Sequence, residues 1–404
     1  MRETAARVLV AAVLASTASC GGEKARDQGP VFEGKPAALH AKDLQMLRDQ
    51  VVQRARLAEL AARPDGGSPV FVFLLQGDDA RLAEQAAMAL TSDAEKRAEP
   101  APAPEDLLGA LEAALHRPEA GVRAAAAPAL AVLSPPARAG TARAIAGLLK
   151  DNDYRVRREA LRAFRLLGAP GEGWIPEIRA LLRAASSESL EAAVTLASLG
   201  DAAGETVERL AAAAADTAHP ADAARAVQAL GLLGPPARGA APALGKALAS
   251  RSLGRMAADY ADAVGLVSGA DAAATALLEK MLEDRDAENR GAAVLALARL
   301  GKNDPRLADL ATSGTAATGL PSIRSAEARI LLGKDEEAAF DSLLAPLDGK
   351  NADLAVAALR ALGRLPAAGH PLPEKAREAL KAAAAKGPLA IRRAAAKAVV
   401  ASTR

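Results

Sequence analysis

Residues 135–168, PPARAGTARAIAGLLKDNDYRVRREALRAFRLLG, encode two helices and a turn, and the chain repeats that unit to its end. In the first helix, from about Ala137 to Leu149, Ala142, Ile145, Leu148 and Leu149 recur at helical spacing. In the second, Val156, Ala160, Ala163, Phe164 and Leu167 share one face, and Arg158, Arg162 and Arg165 share the opposite one. These offsets fit a period of 3.6 and not the alternation of a strand. Pro135 and Pro136 start the first helix, where a missing N–H costs nothing. Asn152 and Asp153 break the chain between the helices, and Gly168 closes the second where positive φ is favoured.

The residues closing successive second helices are Ser134, Gly168, Gly200, Gly234, Ser268, Gly301, Gly333, Pro366 and Thr403. Their spacings are 34, 32, 34, 34, 33, 32, 33 and 37. A period in this range marks a solenoid, in which each helix pair covers its neighbour's apolar face. Such a core grows lengthwise, so 404 residues need not divide into several globular domains. With aromatics at only 2%, the core is built of Ala and Leu, and its helices sit close together. A net charge of +2 gives no global pull toward nucleic acid or an anionic membrane.

A leading Pro, a closing Leu-Leu, an Asp-rich turn and then Val-Arg-x-x-Ala-x-x-Ala-Leu-x-x-Leu-Gly make up the recurring motif. It resembles the HEAT family, in particular the short HEAT-like repeats of phycobilisome lyases, and is clearest at 135–168, 289–301 and 391–400. Leu190–Gly200 and Met256–Ser268 lack the Val-Arg start. The resemblance implies an all-α, right-handed solenoid of about ten helix pairs, over residues 39–404. It also implies that Arg123, Arg157, Arg290, Arg324 and Arg392 pair with turn aspartates in a ladder, with Asp153 and Asp286 placed to accept.

Ahead of the repeats, Arg2 and Arg7 precede the apolar run Val8–Leu14, small residues Ala15–Ser19 and then Cys20. That order reads as an export signal over residues 1–19, too short to remain as a spanning helix. It resembles the bacterial lipoprotein signal, which implies acylation of Cys20, the only cysteine, and a protein lipid-anchored in the cell envelope. Residues 20–38 read as a flexible tether. His40–Ala62 reads as one amphipathic helix capping the array, and Pro69–Leu75 as the start of a helix pair rather than an isolated strand. Residues 92–104 and 314–322 read as irregular stretches, and Pro128 falls inside a second helix, where it removes a hydrogen bond.

Catalytic chemistry is not legible. GxSxG, HExxH, CxxC, P-loop and dinucleotide fingerprints are absent. His116, His219 and His370 lie repeats apart; three repeats put His116 and His219 roughly 25–30 Å from one another, so no metal or cofactor is expected. The helical carboxylate pairs Asp259/Asp262 and Glu279/Glu283 read as solvated faces. From Arg360 to Arg404 ten Lys/Arg stand against two Glu, read as a solvated end cap. Nucleic acid is not expected as a partner, because stacking aromatics are lacking there.

Counting back three from seven of the nine closing residues gives Ala131, Arg165, Ala197, Gly231, Gly265, Ala298 and Gly363. Glycine costs about 0.8–1 kcal/mol in a helix interior, so these positions need a reason. Close packing between repeats is one. A smooth groove for a partner, with Arg158, Arg162 and Arg165 gripping an acidic stretch, is the other. Trp174, in a turn beside the helix start Ile175-Pro176, is either an interface anchor or a cover over its own turn. The functional expectation is a membrane-tethered, noncatalytic scaffold or adaptor for a protein or peptide. The alternatives are an enzyme or enzyme subunit of lyase type, and a plain spacer.

Overall fold

Three capping devices recur along the chain. Asp49 and Asp286 accept a hydrogen bond from the backbone N–H two residues on, at 2.8 and 2.9 Å, and Asn351 accepts from Asp353 and Leu354. Gly200, Gly301 and Gly333 adopt positive φ and close paired turns, in which the next residue's N–H reaches back five residues to Leu196, Leu297 and Arg329. Gly168 and Gly234, each followed closely by proline, take φ near 65° with ψ near −135°, a region open essentially to glycine alone.

The computed structural model describes residues 31–402 apart from 33–34, 48, 64–66, 98–102, 135–139, 185–187, 251–252, 268–271, 314–317 and 349. Two compact units divide the chain, one made of the residues up to Ala94 with Ala101–Leu167, the other of Glu95–Pro100 with Gly168 onward.

The first unit opens with an antiparallel strand pair, β1 (Val31–Phe32) and β2 (Lys35–Pro36), Val31 lying opposite Pro36. Its helices are α1 (Ala37–Met46), α2 (Gln50–Ala61), α3 (Ser68–Gln76), α4 (Ala80–Lys96), α5 (Glu105–Ala114), α6 (Ala120–Leu133), α7 (Gly140–Ala146) and α8 (Tyr154–Leu167). Val31–Phe32 and Lys35–Pro36, within the 20–38 stretch read as a tether, form this strand pair, and Cys20 lies outside the described residues. The single helix expected over His40–Ala62 is two, because Asp49 caps a new start. Pro69–Leu75 is helical, as its neighbour-dependent reading requires, and α6 continues through Pro128.

The second unit carries α9 (Ile175–Arg183), α10 (Ser189–Ser198), α11 (Gly204–Ala215), α12 (Pro220–Leu233), α13 (Ala241–Leu248), α14 (Ala257–Val267), α15 (Ala272–Met281) and α16 (Ala287–Arg299). It ends with α17 (Pro305–Ser313), α18 (Leu320–Leu331), α19 (Glu336–Leu344), α20 (Ala352–Arg364), α21 (Glu374–Ala385) and α22 (Leu389–Ser402). Even-numbered helices stack on one another in sequence, α10 on α12 and so on to α22, and odd-numbered helices back them. The architecture is an all-α solenoid.

Alanine and leucine fill the buried positions, and Phe71, Phe164 and Tyr260 are the only fully buried aromatics among the described residues. Small side chains let helices approach closely. A Cβ on Gly265 of α14 would lie 2.6 Å from Ala296 Cα of α16, and one on Gly363 of α20 would lie 3.0 Å from Ala398 Cα of α22.

The turns carry their own arginines. Arg123, Arg157 and Arg290 each aim Nη1 at the carbonyls six and five residues earlier, at 2.7–3.1 Å, and so clamp the turn. Arg123 also donates through Nε and Nη2 to Asp151 of the next turn, at 2.8 and 3.0 Å. The acceptor is thus Asp151 and not the expected Asp153. Asp153 and Asp286 serve as caps, each within its own turn, because a capping carboxylate is already turned toward its helix N–H groups. Arg392 donates to Gly387 O at 2.9 Å. Arg324 departs from the series altogether.

Candidate functional site: the charged strip of the second helices

Arg324 stands at the clamping position of α18, but its side chain is 2% exposed and turns along the helix stack. Its Nε donates to Asp262 at 2.7 Å, Nη2 to Asp259 at 3.1 Å and Nη1 to Glu288 at 2.9 Å. Asp259 and Asp262 belong to α14, two second helices away. At the usual 8–10 Å between packed helices, a flat stack would hold α14 and α18 roughly 16–20 Å apart. Direct contact over α16 means that this face curves inward.

The chain of charge continues. Arg299 at the end of α16 donates to Asp262 at 3.3 Å and to both oxygens of Glu327 at 3.1 and 3.0 Å. Arg364 of α20 grips the same carboxylate from the other side, at 3.1 and 2.7 Å. Glu327 is 2% exposed. Burial alone would raise its pKa, but Arg299 and Arg364 outweigh that cost and hold it down to about 2. Asp259 behaves oppositely: desolvation dominates over the pull of Arg324 and raises its pKa. Its carboxylate and that of Glu288 nonetheless keep outer edges in solvent, at 44% and 47% exposure.

Further along the strip, Arg225 of α12 pairs with the buried Glu191 of α10 and with Asp222 at 3.6 Å. At the far end Lys397 of α22 donates to Ser198 O of α10 at 3.2 Å, so the first and last second helices of this unit come within one side chain's reach. Arg360 and Lys397 are exposed, and burial of part of each side chain, followed by the neighbouring cations Arg364 (for Arg360) and Arg360 and Arg393 (for Lys397), lowers both pKa values. Such a combination suits the inside of a curved face.

The residues singled out from sequence distribute differently. Arg158 is exposed, Arg162 pairs with Glu159 at 3.5 Å and Arg165 is half-buried, all on α8 of the first unit. Trp174, half-buried, ends a short 3-10 turn, Ala169–Trp174, directly before α9. Gly231 and Gly265 separate in kind. Gly231 is half-buried, and a Cβ there would meet only the tip of Leu266, at 3.3 Å. Gly265 is buried against the backbone of α16, so the groove reading is corrected at that position: its missing side chain serves helix contact.

Asp259 and Asp262, read as an ordinary solvated face, form the centre of the network instead. A signal existed in the sequence. Asp259/Asp262 and Arg324/Glu327 are both (i, i+3) pairs, and Asp259 and Arg324 are 65 residues apart, two repeat periods. Opposite charges at one register on nearby second helices are set to meet. Among the described residues no group of three or more His, Cys, Asp or Glu could hold a metal ion.

No family model and no curated protein matches the chain. Solved structures do resemble it. An engineered protein matches at 19% identity and a TM-score of 0.34, over 91% of this chain and 99% of that one. Kap121p matches at 13% identity and a TM-score of 0.43, over 100% and 49%. Kap95, in a complex with Nup1, matches at 13% identity and a TM-score of 0.45, over 91% and 53%. The chain spans about half the length of the Kap121p and Kap95 chains.

Proposed function

We propose that this protein is a noncatalytic scaffold or adaptor that binds a protein or peptide partner along its second-helix strip, tethered to a bacterial membrane through acylated Cys20. One observation carries the binding part. Asp259 and Glu288 present solvent-facing edges while a fully buried arginine fixes their inner sides, so the surface charges are held before any partner arrives. Preorganised groups lose little freedom on association, which is where binding energy is otherwise spent. The tether rests on the order of charge, apolar run, small residues and Cys20 in residues 2–20. One acyl chain gives only marginal anchoring at ~0.8 kcal/mol per buried CH₂, so stable attachment calls for more than one.

Chemical cross-linking in the native membrane, followed by mass spectrometry, tests this reading. It predicts one recurring envelope protein, with links mapping to the even-numbered helices of the second unit. Links scattered over all surfaces, or an unmodified Cys20 by intact mass, would contradict the scaffold and the tether respectively.

A further inference from the structure

We propose that α1 and α2 lie on the surface of an anionic lipid bilayer, through the outward residues Leu39, Met46 and Val51 and the cations Lys42 and Arg54. This rests on the tether reading and says what the anchored end does once it is held there.

The terminal helices of a solenoid ordinarily turn a polar face outward, because no further repeat covers them. The last pair conforms: α21 exposes Glu374, Glu378 and Lys381 opposite its buried side. The first helices do not. In α1, Ala37, Ala41 and Leu44 are buried, and α1 packs on α3 and β2. Leu39, Lys42 and Met46 fall on the opposite side at helical spacing. In α2, Gln53, Leu57 and Leu60 are buried, while Val51, Ala55 and Ala58 line the opposite, exposed side. Met46 and Val51 are 72% and 70% exposed, and they bracket the turn that joins the two helices. Both helices are thus apolar front and back, a pattern that belongs to helices covered on both sides.

Charge and chain length favour lipid as the cover. Residues 35–63 hold six Lys/Arg against three Asp/Glu, a local balance of +3 in a chain whose total is +2. Lys42 and Arg54 have no ion-pair partner among the described residues, which leaves their charge open to lipid phosphates. Apolar side chains flanked by free Lys/Arg are what hold a helix in the plane of an anionic interface. Val31 follows Cys20 by eleven residues, a length that spans at most about 40 Å. An acylated Cys20 therefore keeps this end beside the bilayer, where docking is intramolecular and a few side chains suffice. The patch also supplies the second signal that an acyl anchor requires.

The test uses the full chain in vesicles of equal parts phosphatidylcholine and phosphatidylglycerol. An environment-sensitive fluorescent amino acid is placed at Met46, at Val51 or, on α21, at Lys381. Flotation reads attachment, and quenching by nitroxide-labelled lipid reads contact with the bilayer. Quenching is expected at Met46 and Val51 and not at Lys381. It should weaken as salt rises and in vesicles of phosphatidylcholine alone. Lys42→Gln/Arg54→Gln should lower the ratio of docked to undocked protein by about tenfold, with flotation unchanged. Circular dichroism checks that helix content is equal, and the two single variants replace the double one if it fails to fold. Protein that floats with both probes unquenched would overturn this inference and leave the tether standing; protein that does not float would overturn both. Probes shielded from water but not quenched by lipid would put a protein on this face, and would overturn the inference as well.

Discussion

Arg324 Nε donates to Asp262 at 2.7 Å across an intervening helix, joining α18 to α14 inside the curved face. Removing one member of a buried pair leaves its partner uncompensated, a loss typically of 3–5 kcal/mol. Arg324→Ala should therefore cost about 3 kcal/mol, at the low end because Asp259 and Glu288 can turn to water. Asp259→Asn should change stability little, since burial already disfavours its charged form. Urea unfolding of the two variants checks this; equal losses would mean that Arg324 is not the anchor of the network.

Glu327 sets a pH dependence. Its folded pKa, about 2, lies below the ordinary 4.5, so the native state binds fewer protons than the unfolded chain between those values. The stabilisation is present in full above about pH 4.5 and is lost as pH falls through about 2. Glu327→Gln should be less stable than the parent at pH 7, and the gap should close toward pH 2. Thermal melts by circular dichroism across that range would show it. A gap independent of pH would assign Glu327 a role in packing rather than in charge.

Gly265 and Gly231 should respond in opposite directions to alanine. At Gly265 the new Cβ meets the α16 backbone, and overpacking of this kind costs about 1–3 kcal/mol. At Gly231 only the flexible tip of Leu266 must give way, and the helix gains about 0.8–1 kcal/mol from losing a glycine. Gly231→Ala should raise the melting temperature and Gly265→Ala lower it. Equal shifts would mean that the two glycines do the same work.

The repeat, its closing glycines and the helical character of Pro69–Leu75 were legible because each rests on local chemistry: spacing, φ preference, a missing N–H. The break at Asp49 was legible in principle, since aspartate before an apolar-periodic run is a start signal, but the continuous amphipathic pattern of His40–Ala62 masks it. The strip was not legible residue by residue. An (i, i+3) pair of carboxylates looks the same on a solvated helix as on one whose arginine arrives two repeats later. Nor does periodicity reveal curvature, on which the contact between Arg324 and Asp262 depends. Gly265 and Gly231 occupy the same register, and only the approach of α16 distinguishes them.

Placing a photo-reactive residue at single positions and irradiating native membranes tests the central claim most directly. Arg360 and Lys397 sample the strip; Glu279 of α15 and Lys381 of α21 are exposed on the backing helices. The account predicts that one envelope protein cross-links from both strip positions, that the yield falls with salt, and that neither backing position captures it. Capture of that protein from Glu279 and Lys381, with none from Arg360 or Lys397, would contradict it.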